Sequence, residues 1–196
     1  MKNKKVIITI VVLVLILALL GYSLYSIMLS KYKFKYEGFN IEKIADQGYE
    51  GYRTEIYING AEEPFYINSR YAPGDVEDIP FEQGLKQKIN GKNPIYVTID
   101  PTQQLTGKTT IAALNINNMI EQVFRVEVKS ALTQDVRNNM TIKNCENKED
   151  AVIWLKLGDS NRIYSQDLCI IIEGRTQDDL VKGADLFDFV LLDIIK

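Results

Sequence analysis

The stretch Thr106-Gly107-Lys108-Thr109, behind YVTID and ahead of an amphipathic segment, holds the residue types that cradle phosphate. Glycine lets backbone amides close in, lysine supplies charge, and a hydroxyl can meet a metal. LCIIIEG, an apolar run that closes on an acid, would be the matching strand that helps hold Mg²⁺. The full P-loop pattern needs Gly-x-x-x-x-Gly-Lys, however, and position 102 is Thr. Pro101, Gln103 and Gln104 occupy the loop that should wrap the phosphates. The stretch therefore reads as an ordinary helix start with a solvated Lys108. Gly107, Lys108 and Thr109 stay only as weak cofactor-binding candidates.

Carboxylates form two clusters. Asp75, Glu77 and Asp78 sit in a Gly-containing loop and carry the oxygen ligands that Ca²⁺ takes, but not the spacing of a calcium loop. Asp185, Asp188 and Asp193 fall on a C-terminal helix, where paired acids can do proton chemistry if burial splits their pKa values. They read instead as an exposed acidic face. The chain has no histidine, which removes Ser–His–Asp and Cys–His nucleophiles, a His general base and His-ligated metals. No catalytic residue, cofactor or metal site is assigned, and the balance leans away from an enzyme.

Cys145 and Cys169 lack Cys-x-x-Cys spacing, so neither a zinc site nor a thioredoxin-like pair is expected. Each precedes an apolar run. If those runs are neighbouring strands the sulfurs meet, and a disulfide closes the loop between them. The other reading is two free thiols. Asn139-Met140-Thr141 is a candidate glycosylation acceptor at Asn139.

These groups must be placed by the chain around them, and its first feature is an address. Val6–Leu29 contains 24 residues without a charge, behind Lys2, Lys4 and Lys5. At ~1.5 Å per residue it makes a helix of about 36 Å, enough for a ~30 Å hydrocarbon core. A cleaved signal is the rival, but the apolar run continues past Leu20 and offers no good cleavage context. The basic counts at the two ends nearly tie: Lys2, Lys4, Lys5 and the α-amine against Lys31, Lys33 and Lys35. The cysteine pair and the sequon lean toward export. The expected layout is a cytoplasmic tail at 1–5, a transmembrane anchor at 6–29 and a single extracytoplasmic domain at 30–196.

All 26 acids lie beyond the anchor against 20 of the bases, so the domain carries net −6 and is a poor partner for nucleic acid or anionic lipid. Its pattern is α/β or α+β: a mixed sheet packed by two helices, with an N-terminal β-meander. Strands are expected at Phe39–Ile44, Tyr52–Ile58 and Pro64–Asn68, with a turn at Asn59-Gly60. Gly84–Ile89 and Pro94–Asp100 read as a hairpin around Asn90-Gly91. Thr109–Val123 reads as an amphipathic helix and Phe124–Val128 as the strand that completes a βαβ unit. Further strands are Thr141–Lys143, Ala151–Leu157 and Leu168–Glu173, with a turn at Gly158–Asn161. A last helix, Thr176–Ile195, opens on a capping box of Thr176 and Asp179. Tyr32, Tyr36, Tyr49, Tyr52, Tyr57, Tyr66 and Tyr71 crowd the meander and mark where a recognition face is to be sought, although strand cores use such rings too. Trp154 is expected in the core.

LTGKTTIAAL followed by AVIWLKLGDSNRIYSQDLCIIIEGRTQDDLVKGAD resembles a loose group of uncharacterised archaeal single-pass membrane-anchored proteins. The resemblance implies a cell-envelope address and supplies no site residues. The leading expectation is a binding or scaffold protein held in the membrane by its N-terminal helix, with an envelope protein or glycan as partner. Two alternatives stand beside it: a membrane-tethered hydrolase using carboxylates without His, and a degenerate P-loop-like nucleotide-binding domain facing the cytoplasm.

Overall fold

A computed structural model describes the chain apart from Met1, Lys31, Gln47, 58–62 and 137–139, and apart from the side chains of 2–10, 27–30 and 46. The Asn59-Gly60 turn and the Asn139 sequon lie outside the described residues. Helix α1 runs Lys2–Ser30. Its described large apolar side chains stand open, from 48% exposed at Val12 to 72% at Tyr22. Among the described residues no helix is long and apolar enough to cross a membrane. The ends of the expected span, 6–10 and 27–29, have side chains outside the described set.

The meander is an antiparallel sheet in the order β1-β2-β3-β4, made of Lys33–Tyr36, Phe39–Asp46, Tyr49–Ile56 and Phe65–Ser69. Glu37 and Gly38, both at positive φ, turn the first hairpin so that Tyr36 faces Phe39. The period-two pattern holds. Ile41, Thr54 and Ile67 line up across three strands and are buried, while Arg53 and Glu55 alternate to the other side.

A second sheet has the order β6-β5-β7-β9-β8. Its strands are β5 (Ile95–Ile99), β6 (Val128–Leu132), β7 (Ala151–Leu157), β8 (Arg162–Gln166) and β9 (Cys169–Gly174). All pairs are parallel except β8 with β9. Helix α3 (Gly107–Met119) forms the crossover from β5 to β6, as the βαβ pattern requires. From β6 the chain returns past β5 to β7, and the described residues of that return form no helix. That return lies on the opposite face, where Cys145 packs with Tyr96, Val152, Cys169 and Ile171. The opposite face is what handedness demands, because the two crossovers run in opposite directions along the sheet.

Helices α3 and α4 (Gln177–Leu191) share the other face, and one core joins them to both sheets, from Ile56 and Ile67 through Ile153 and Ile172 to Phe187. Thr176 Oγ1 accepts from Asp179 N and Asp179 Oδ2 accepts from Thr176 N, so the capping box forms as read. Phe187 and Phe189 are fully buried, each contributing about 1.5–3 kcal/mol by leaving water. Strand β9 is buried along its length, as an unbroken apolar run predicts.

The meander and the mixed sheet are separate sheets on a shared core. Three expectations need correction. Leu85–Ile89 is a short helix, α2, and no hairpin forms at Asn90-Gly91. A four-residue step satisfies both periods, so Leu85 and Ile89 fit a strand or a helix equally. Helix-favouring Lys86, Gln87 and Lys88 decide it. Ile120–Phe124 continues α3 as a π turn that ends on Arg125 at φ +58°, so the strand begins four residues later than expected, at Val128. Thr141–Lys143 supplies only a bridge from Ile142 to Leu132, and β8 was not anticipated at all. Its Ile163 is buried while Arg162 and Tyr164 alternate to the other side, a strand signal hidden in five residues.

Candidate functional site

The start of α3 is filled from within the protein. Gln177 Oε1 accepts from Thr106 N at 2.7 Å, Thr106 Oγ1 at 2.7 Å and Thr109 Oγ1 at 3.1 Å. Lys108 pairs with Asp178 at 2.6 Å. Gln103 pairs both ways with the Leu157 backbone across the ends of β5 and β7. The crevice beyond the carboxyl ends of parallel strands, where nucleotides commonly lie, is therefore bridged by side-chain amides. Gly107, Lys108 and Thr109 do come together there, in an interlocked helix junction. Glu173 at the end of β9 accepts from Asp159 N, Ser160 N and Ser160 Oγ, and pairs with Arg162 at 3.0 Å. Burial pushes its carboxyl up, but Arg162 and Ser160 together hold it below the usual range. It is a structural acid.

The C-terminal acids correct the expectation of an exposed face. Asp185 and Asp188 are 0% and 2% exposed, and only Asp193 reaches solvent, paired with Lys86 at 2.6 Å. Asp185 Oδ2 accepts from Arg70 N at 2.8 Å and Tyr71 N at 2.9 Å, and Oδ1 from Asn115 Nδ2 at 3.0 Å. It thereby ties the end of β4 to α3 and α4. Burial lifts its pKa to about 7, against the pull of those donors. Asp188, one turn on, is pushed well above the usual carboxylate range by burial and then by Asp185, and its Oδ1 has no partner among the described residues. A helical wheel carried the signal: position 188 stands four residues after Ala184 and three before Leu191, inside the apolar stripe. Both acids are sealed from substrate, so this pair does not act on a ligand. Asp75 Oδ2 accepts from Ala72 N, Glu77 accepts from Tyr36, and among the described residues no acid or cysteine cluster could hold a metal.

Open chemistry lies on the meander, where the tyrosines pointed. A groove of about 610 Å³ crosses its outer face, lined by Lys33, Lys35, Asn40, Arg53, Glu55 and Tyr66 among others. Tyr66 is 53% exposed with Arg53 stacked 5.8 Å from its ring centre, and Tyr57 is 63% exposed. Asn40 and Tyr57 both donate to Glu55, which holds its carboxyl below the usual range. Such a surface offers rings, donors and acceptors together, the composition of a polar recognition face. Tyr36, Tyr49, Tyr52 and Tyr71 instead turn partly inward.

On the helix-free side of the second sheet, Cys145 and Cys169 are bonded, 5.1 Å apart at Cα. The bond pins the β6–β7 return segment over Val152 and Ile171. Trp154 lies here, half-buried with Lys156 above its ring, rather than in the main core. The chain matches no protein-family model, no curated protein and no solved structure.

Proposed function

We propose that this is a single-pass membrane protein of the cell envelope, anchored by residues 6–29 with its N-terminus inside, whose outward domain acts by binding or scaffolding. The observation that carries the reading is the uncharged leader. Sixteen of its 24 residues are Val, Ile or Leu. At about 0.3–0.6 kcal/mol each they favour insertion by on the order of 5–10 kcal/mol. The described part of α1 leaves those side chains uncovered by the domain. A disulfide suits an oxidising compartment. The resemblance to archaeal anchored proteins points the same way, and the outer face of the meander is the surface on which a partner is met.

The test is labelling of intact cells with a membrane-impermeant maleimide, before and after an impermeant reductant. Label that appears only after reduction is expected. Label that appears only after lysis would place the domain in the cytoplasm and overturn the reading.

A further inference from the structure

Between the edge strand β4 and helix α3 lies a pocket of about 210 Å³. Its walls are Tyr49, Tyr66 and Asn68 from the meander and Asn115, Asn118 and Gln122 from the helix side. Ile67 and Met119 complete the lining. Four carboxamides thus converge on one small space with two tyrosine rings, and no lysine, arginine or carboxylate lines it. On the helix side the residues recur at positions 115, 118, 119 and 122, one face of a helical turn pattern.

From this geometry we infer that the pocket is a subsite for a neutral sugar ring, one pyranose of an envelope glycan. A sugar hydroxyl both donates and accepts, and a carboxamide does the same without any change of charge. Arg53 and Arg70 pack on the Tyr66 and Tyr49 rings rather than lining the pocket, so an anionic ligand would find no cation among its lining residues. A purely apolar one would strip water from amide atoms that have no partner in the pocket, at about 1–3 kcal/mol for each group left unpaired. The tyrosine rings supply flat apolar surface for the C–H faces of the ring. Two of the amides are already oriented. Asp185 Oδ1 accepts from Asn115 Nδ2 at 3.0 Å, which fixes the nitrogen end of that side chain. Asn68 Oδ1 accepts from Arg53 Nε at 3.4 Å, which leaves its NH₂ free to donate. The volume is below the range of about 300–1,000 Å³ common for drug-sized ligands, so a single ring is what it holds. Tyr66 also lines the larger outer groove, so a saccharide chain leaving the pocket passes onto the meander face.

The inference rests on the envelope reading only for where the sugar is met. Its test is independent of topology: the full chain in phospholipid nanodiscs, free of glycoside detergent, is examined by saturation-transfer NMR. The probes are the methyl glycosides of glucose, galactose, mannose and N-acetylglucosamine. At least one is expected to take up saturation with a dissociation constant of about 1 mM. Asn118→Leu and Tyr66→Ala, both at exposed positions, should each weaken it by about tenfold or more, while Tyr66→Phe retains it. Glucuronate and triglycine should give no transfer. No transfer from all four glycosides, transfer unchanged in both disabling variants, or preferential transfer from triglycine would overturn the assignment. Sugar binding by a chain whose cysteines label only after lysis would leave the subsite standing and remove the exported placement.

Discussion

The buried acids of α4 set a pH dependence with an unusual sign. Asp185 titrates near 3.8 in the unfolded chain and at about 7 when folded, and Asp188 is displaced in the same direction. Between those values the folded state holds protons that the unfolded state has released. The stability that these protons confer is complete below about pH 4 and is lost as pH rises through the folded pKa. At about 1.36 kcal/mol per pH unit, Asp185 alone makes a difference on the order of 4 kcal/mol across that window. Asp188→Asn keeps the shape and removes the cost of burying that carboxyl, which Asp185 raises further. Burying the amide offsets part of this by about 1–3 kcal/mol, and the variant should still be the more stable protein at pH 8. The assay is guanidinium unfolding of the oxidised full chain at pH 5 and pH 8, followed by circular dichroism. Glu173, held low, acts only below about pH 4.5 and does not enter the window. The wild type should unfold at higher denaturant at pH 5 than at pH 8, and the variant should show a smaller difference, the part that Asp185 sets. A wild type that becomes more stable toward pH 8, or an Asp188→Asn protein weaker than wild type at pH 8, would refute the reasoning.

Replacing both Cys145 and Cys169 by Ser should lower stability by about 3 kcal/mol, read as a denaturant midpoint, because the bond closes the long loop between the return segment and β9. Glu173→Gln should cost about 3 kcal/mol in the same melts by leaving Arg162 and the Asp159–Ser160 amides without their carboxylate. Lys108→Ala should change stability by less than about 1 kcal/mol, since its pair with Asp178 is half-exposed.

What the sequence disclosed depended on whether a local pattern admitted one period or two. Ala151–Leu157 and the Thr176–Asp179 cap were legible because an unbroken apolar run and capping chemistry each pointed one way. Leu85–Ile89 was not, since its spacing suits both periods. The π turn after Met119 hid the start of β6, because a widened helical turn has no pattern of its own. The acids of α4 were misjudged for a different reason. A helix with two polar positions normally turns them to water, but this one is packed between both sheets and has almost no wet side. The tyrosine-rich face was found from composition. The carboxamide pocket was not, because Asn68 and Asn115 meet only through tertiary packing.

The position of α4 also governs the order in which the molecule can be finished. It emerges from the ribosome roughly 80 residues after β5, and at about 5–20 residues per second that interval is on the order of 4–16 s. Until then the inner faces of β5 and β7 lack the cover of α4, and the carboxylate that docks β4 has not been synthesised. A nascent chain in this state leaves open the apolar surface that α4 covers in the finished fold.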